Sequence, residues 1–337
     1  WFFDVTWTAD NKSIVYAPEP SQRKLETLNT ETGKASIIFS QSKGLFSYRG
    51  VQNKQQMIAT ERSWDTNIYR VPLGSGINSL YNTKTDALVS STRSDWQPRV
   101  TPNGDILTFL SDRTGEQEIW ASDPEGRNAR QLSHLNGDLQ IHVFDWDSAG
   151  ELITFDAYDD RIYVLDTTSG THRVLSPVGM MARNPSFSND GKSVIFTSDH
   201  NGEWQIWRIP TAGGTPDQVT QKGGFSARYN ENGDLYVTKY YKDGLWQVDP
   251  KTGDETLVIP HMITGPMQQW TLRREGVYYL NNQIGRAQIF FYDWQTQEPE
   301  LLHDMPHVGF TFELSANGKD ILFTRDDSRA SDIVLLK

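Results

Sequence analysis

Arg183-Asn-Pro-Ser-Phe-Ser-Asn-Asp-Gly-Lys-Ser-Val-Ile-Phe-Thr-Ser198, followed by Gln205-Ile-Trp-Arg208, is the stretch whose reading decides the fold. It runs as an apolar strand, a polar turn, a second strand, and a third strand opened by an isoleucine–aromatic pair. A near copy is Gln97-Pro-Arg-Val-Thr-Pro-Asn-Gly-Asp-Ile-Leu-Thr-Phe-Leu-Ser111 with Glu118-Ile-Trp120. Working outward, the phrase occurs eight times, marked by one turn residue each: Asn11, Lys54, Gly104, Gly150, Gly191, Gly233, Gly276 and Gly318. Neighbouring markers lie between 41 residues (Gly150 to Gly191) and 50 residues (Lys54 to Gly104) apart. A period near 40 with several short strands per period is the mark of a β-propeller.

The details of the repeat fit that reading. Asn103-Gly104, Asp190-Gly191, Asn232-Gly233 and Asn317-Gly318 supply residues that tolerate positive φ, which predicts two-residue hairpins. Third strands recur at Ile68-Tyr69, Ile119-Trp120, Ile162-Tyr163, Ile206-Trp207, Leu245-Trp246, Ile289-Phe290 and Ile333-Val334. Weaker fourth strands follow, as at Arg130–Leu132 and Arg173–Leu175. The third strands are apolar at consecutive positions, so both of their faces are covered, as in blades stacked face to face. The expectation is an all-β, single-domain propeller over residues 1–337 with four-stranded antiparallel blades, eight of them, with seven as the alternative. The eighth unit (Phe310–Leu314, Ile321–Thr324, Ile333–Leu336) lacks its fourth strand; residues 1–4 are barely long enough to supply it, so closure is expected to be incomplete or to use residues upstream of Trp1.

Bulk properties exclude several classes. The formal net charge of −11 opposes a phosphate backbone, so no direct nucleic-acid binding is expected from this segment. With no cysteine, disulfides, thiolate catalysis and thiolate metal sites are excluded. No apolar run approaches 18 residues, so any membrane attachment would come through an upstream segment. The chain opens mid-pattern at Trp1-Phe-Phe-Asp without a basic–apolar leader, which suggests an excised domain of something longer.

One row of the repeat is polar where its neighbours are not. Six and four residues before each marker, the positions are almost wholly apolar. Between them, five before, stand Thr6, Arg49, Arg99, Asp145, Ser186, Arg228, Thr271 and Glu313. Period-2 geometry sends this row to the face opposite the two apolar rows. Because the first strand of a blade is innermost, the eight are expected to ring the axis at similar depth. Two readings follow. In one, the ring is architecture, with Arg99 paired to Asp145 across adjacent blades. In the other, it is a ligand site in the channel mouth, with Arg49, Arg99 and Arg228 receiving carboxylate or phosphate.

Catalytic signatures are missing: there is no Gly-x-Ser-x-Gly and no His-Glu-x-x-His. No cofactor and no metal site is expected. His303 and His307 form the closest histidine pair and read as solvated turn residues. Asp145-x-Asp147-x-x-Gly150-Glu151 is a faint calcium-loop pattern without the ligands at its fifth and twelfth positions, and reads as the ordinary hairpin turn.

Ser188-Asn-Asp-Gly191, Val194-Ile-Phe-Thr-Ser198 and Ile206-Trp207 resemble the TolB-like propeller repeat. A narrower resemblance is to the C-terminal periplasmic propeller of winged-helix, membrane-anchored CadC/ToxR-like transcriptional regulators. It is carried by Asp65-Thr-Asn-Ile-Tyr-Arg-Val-Pro-Leu73, Leu88-Val-Ser-Ser-Thr-Arg-Ser-Asp95, Trp207-Arg-Ile-Pro-Thr-Ala-Gly-Gly214 with Gln218-Val-Thr220, and Ser331-Asp-Ile-Val-Leu-Leu336. That resemblance implies a non-enzymatic sensor domain outside the cytoplasm, meeting a small ligand or an envelope protein at its channel face. A TolB-like periplasmic scaffold and the gating propeller of a prolyl-oligopeptidase-type peptidase are the alternatives.

Overall fold

The computed structural model describes residues 5–17, 24–40, 44–50, 56–73, 87–263, 270–283, 286–305 and 311–336. Strands account for the regular structure of these residues. They are β1 (Thr6–Trp7), β2 (Ser13–Tyr16), β3 (Lys24–Asn29), β4 (Ala35–Ser40), β5 (Gly44–Gly50) and β6 (Met57–Pro72), then β7 (Asp95–Val100), β8 (Leu107–Ser111), β9 (Glu118–Ser122) and β10 (Arg130–Gln131). Next come β11 (Ile141–Trp146), β12 (Leu152–Ala157), β13 (Ile162–Asp166), β14 (His172–Val174), β15 (Arg183–Phe187), β16 (Ser193–Ser198), β17 (Gln205–Pro210) and β18 (Asp217–Gln218). The last are β19 (Ser226–Tyr229), β20 (Leu235–Lys239), β21 (Lys242–Val248), β22 (Glu255–Ile259), β23 (Trp270–Leu272), β24 (Gly276–Gln283), β25 (Arg286–Asp293), β26 (Pro299–Met305), β27 (Phe312–Leu314) and β28 (Asp320–Leu336). Among the described residues no helix is long and apolar enough to cross a membrane.

The eight repeats form seven four-stranded sheets, six of them in simple meander order and one ordered β27-β28-β6-β5. The chain divides into two units, Trp1–Thr66 with Asp326–Lys337, and Asn67–Arg325. In the larger unit, six apolar clusters lie between six sheets. Leu110, Trp146 and Phe155 join β7–β10 to β11–β14. Val164, Phe187 and Trp207 join that sheet to β15–β18. Ile206, Ala227 and Val237 make the next interface, and Tyr236, Leu245 and Trp270 the one after. Leu280, Ile289, Phe312 and Phe323 join β23–β26 to the sheet of β27 and β28. Finally Ile68, Leu322, Leu107 and Phe109 return that sheet to β7–β10. Six interfaces for six sheets close a ring, and β27 touches β7 directly.

The closing sheet explains why the eight repeats make seven sheets among the described residues, the number of the alternative, with six of them around this ring. Its first two strands are Phe312–Leu314 and the start of β28, but its third is the second half of β6, with Leu73 N–H bonded to the Lys319 carbonyl at 2.7 Å. Within the larger unit Ile68 of that third strand is also bridged to Val89, with the Leu88 and Val89 N–H groups on the Ile68 carbonyl. The ring is therefore stapled by residues from both halves of the chain. Sequence pattern placed Ile68-Tyr69 with the second repeat; in space it completes the eighth. Residues 1–4, barely long enough on the sequence reading to supply the eighth unit's fourth strand, lie outside the described residues. In the smaller unit, β1–β4 form one sheet, and Val15, Leu25, Tyr48 and Ala59 form a core with Val334 and Leu336 of the far half of β28.

The turns also differ from expectation. Thr101 N–H bonds the Ile106 carbonyl and Gly104 N–H the Thr101 carbonyl, so the loop holds four residues, with glycine at the last turn position where φ is +80°. Asp147, Ser188 and Ser315 open loops of the same kind. The Asn230 loop, closed on Asp234, holds three residues, and the Arg273 turn is shorter still: Arg273 and Gly276 exchange both backbone bonds, and only two residues lie between them.

His303, expected in a solvated turn, is on β26 opposite Ile289 and is 0 % exposed; His307 lies outside the described residues. Burial pushes the His303 pKa below the usual 6.5, against a smaller upward pull from the Pro72 backbone. A base buried in its neutral form binds fewer protons folded than unfolded, so its contribution to stability is present above about pH 6.5 and is lost as the pH falls. Thermal unfolding between pH 5 and 8 is expected to show that slope, and His303→Leu to flatten it. An unchanged slope in the variant would assign the acid sensitivity to other groups.

Candidate functional site

Each first strand of the larger unit is held between two apolar rows. Phe144, Trp146, Phe187, Ala227, Trp270, Phe312 and Leu314 are all buried. Two indoles pin adjacent sheets: Trp146 Nε1 donates to Thr108 Oγ1 at 2.9 Å, and Trp270 Nε1 to Ser226 Oγ at 3.2 Å. Side-chain amides do the same from strained positions. Gln97 (φ +56°) donates to the His142 carbonyl and Asn184 (φ +52°) to the Phe225 carbonyl. The polar row between the apolar rows is thereby aimed at the axis.

Six of the eight expected residues meet there. Asp145 Oδ2 accepts from Ser186 Oγ at 2.7 Å and from Arg228 Nη1 at 3.3 Å. Asp145 and Arg228 lie on β11 and β19, two sheets apart, so this pair spans the ring rather than its rim. Glu313 accepts at Oε1 from Arg273 Nη2 at 3.0 Å and faces Arg99 Nη1 with Oε2 at 3.7 Å. The expected partner of Arg99 was Asp145; the ring closure instead brings Glu313 of β27 beside β7, and Asp145 is taken by Arg228. Thr271 accepts from Arg273 Nη1 at 3.0 Å. Thr6 and Arg49 lie on β1 and β5 of the smaller unit, where Arg49 is exposed and donates to the Tyr48 carbonyl.

Arg273 was not expected in the site. Three residues before six of the seven other markers stand Thr8, Thr101, Asp147, Ser188, Asn230 and Ser315, short side chains that accept backbone N–H groups and close their loops, while Val51 before Lys54 lies outside the described residues. The two-residue turn at Arg273 needs no such closure, which leaves a long cation at a position elsewhere small. That break in the row was the readable signal.

The axial group thus holds three guanidinium groups, Arg99, Arg228 and Arg273, and two carboxylates, Asp145 and Glu313. Its formal charge is about +1 inside a chain of −11. Burial depresses the pKa of Arg99; Glu313 and Asp145 oppose that shift while Arg228 and Arg273 reinforce it. The Nε atoms of Arg99 and Arg228 are buried without a hydrogen-bond partner. Beside the group opens a cavity of about 320 Å³ lined by Ser148, Asn189, Tyr229, Asn230, Glu231, Leu272 and Arg273. It sits among the first-hairpin turns of four successive sheets, and Arg273 is common to cavity and ring. Asp147 caps its own turn, with Oδ1 accepting from Glu151 and Leu152 N–H, as the turn reading of the calcium-like stretch requires. Among the described residues no cluster of three His, Asp or Glu is placed to hold a metal.

No protein-family model matches the chain. It is 31% identical over 110 residues to the uncharacterized protein YidR of Escherichia coli, which takes in 32% of this chain and 24% of that one. The chain spans between about a quarter and a half of the curated relatives it matches best. Among solved structures it is similar to TolB from Acinetobacter baumannii, with TM-score 0.51 and 13% identity over 98% of this chain and 81% of that one. It is also similar to a chain of a nidogen/laminin complex, with TM-score 0.55 and 13% identity over 77% and 98%. These likenesses concern the fold, an all-β TolB-like propeller.

Proposed function

We propose that this chain is a non-enzymatic binding propeller, an extracytoplasmic scaffold that receives its partner at the axial mouth of residues 67–325. The observation that carries the reading is Arg273, which joins the paired charges of the axis to an open, polar cavity at the hairpin end of the ring. Every carboxylate of that group is engaged by an arginine, and the one hydroxyl bonded to a carboxylate there, Ser186 on Asp145, has that acid already paired with Arg228. The TolB-like architecture supports a protein-docking role and a place outside the cytoplasm. Service as the sensor of a membrane-anchored regulator is the narrower role that the CadC/ToxR-like stretches support. Two of these stretches meet at the closing sheet, Asp65–Leu73 running through its third strand and Leu88–Asp95 starting at the bridge to Ile68, so what they encode first is how the ring is shut.

The test is site-directed photo-crosslinking of the natural full-length protein in its own cells. A crosslinking residue at Asn189, on the cavity rim, is expected to give a discrete adduct, and one at His172, exposed on the outer strand β14, to give none. Adducts from His172 alone, or turnover of peptide or ester substrates that is abolished by changing Arg273, would overturn the reading.

A further inference from the structure

Resting on that binding reading, we infer that the axial mouth is a carboxylate site, in which Arg273 takes the free carboxylate of a small organic acid or of a chain terminus. The charge balance makes the first argument. Buried guanidinium groups are stable when each has an anion. Here Arg228 has Asp145, while Arg99 and Arg273 share the single Glu313, held at 3.7 Å by one and 3.0 Å by the other. One more carboxylate completes the set. Glu313 then relaxes wholly onto Arg99, and the incoming group replaces it on Arg273.

Access makes the second argument. The Arg273 side chain is 34 % exposed against 11 % for both Arg99 and Glu313, and it is the ring member that lines the cavity. A volume of about 320 Å³ falls at the lower end of the range for small-ligand pockets. The planar guanidinium fork matches a carboxylate, and charge-assisted hydrogen bonds of this kind are the stronger ones. Ser148 and Asn189 offer polar contacts and Tyr229 and Leu272 apolar ones for the rest of the ligand.

The third argument selects among anions. A local excess of about +1 balances one negative charge, and Glu231 on the same cavity wall repels a second. A monoanionic carboxylate is favoured over a phosphate dianion.

Calorimetric titration tests the inference with four probes: lactate, tetra-alanine with a free C-terminus, the same peptide amidated, and inorganic phosphate. Saturable binding of the free carboxylates is expected, with tighter binding of the peptide identifying a chain terminus and tighter binding of lactate a small acid. Arg273→Gln should weaken it about tenfold or more. Arg273→Lys, which keeps the charge and loses the fork, should fall between. Arg127→Gln, which breaks an exposed pair with Asp123 away from the cavity lining, should leave it unchanged. Glu313→Gln, checked by circular dichroism for intact sheet, should bind several-fold more tightly, because an internal competitor has gone; a purely structural role for these residues predicts no such gain. No saturable binding, equal binding of the amidated peptide, phosphate bound more tightly than carboxylate, or full affinity in Arg273→Gln would each overturn the inference. If the Asn189 adduct persists while no carboxylate binds, only this inference fails. If carboxylates bind and no adduct forms, the scaffold reading fails alone.

Discussion

Glu313→Ala is expected to destabilise residues 67–325 by about 3–5 kcal/mol, the usual consequence of removing one partner from a buried ion pair. The effect is large because two cations lose their anion together. Arg99 Nη1 and Arg273 Nη2 both face the Glu313 carboxylate, and Arg99 and Glu313 are each only 11 % solvent-exposed. Glu313 Oε1 also accepts from the Leu314 N–H at 2.9 Å, so the strand that closes the ring loses a local tie. Glu313→Gln keeps that acceptor and one acceptor for Arg273, and should cost less. Urea unfolding followed by circular dichroism measures both. A loss under about 1 kcal/mol for the alanine variant would mean that solvent reaches the axial charges freely.

Trp146→Ala is expected to cost about 3–5 kcal/mol by the same measurement, as large-to-small changes in cores do. The indole is 7 % exposed between β7–β10 and β11–β14, packed among Leu110, Ile119 and Phe155. Its N–H donates to Thr108 Oγ1, and that hydroxyl in turn donates to the Arg99 carbonyl at 3.1 Å. Cutting the indole away therefore opens a cavity and loosens the strand that carries Arg99. Trp146→Phe retains much of the volume and should cost nearer to about 1–2 kcal/mol, chiefly for the lost hydrogen bond. Equal costs for the two variants would show that packing volume is not what holds this interface.

Much of the fold was legible because its signals are local. The Asx-Gly turns and the Ile-aromatic openings each need only a few residues, and they mark strand reversals wherever they recur. The arrangement of sheets was not legible, since it depends on pairing over the whole chain length. Nothing in Asn67–Pro72 distinguishes a third strand of the second repeat from a third strand of the eighth. Only the packing of Ile68 with Leu322 and Leu107 decides it. Turn length was misread at Asn103-Gly104 for a subtler reason. The pair predicts a two-residue loop, but the Thr101 hydroxyl, which bonds both the carbonyl and the N–H of Ile106, holds a four-residue one open.

The axial row was found by its polarity alone, and six of its eight members converge as period-2 geometry requires. Thr6 and Arg49 entered the row because the register treats all repeats alike, and they fall in the smaller unit. Arg99 was matched to the wrong acid because sequence order suggests the next blade. The closure of β27 against β7 puts a carboxylate on its other side.

A double-mutant cycle between Arg99 and Glu313 tests that closure most directly. Far apart in sequence, the two interact only if the ring of residues 67–325 is shut with its charges at the axis. Unfolding free energies of Arg99→Ala, Glu313→Ala and the double variant are expected to show a coupling of about 1–3 kcal/mol. Additivity within about 0.3 kcal/mol would contradict a closed ring with these two residues at its centre.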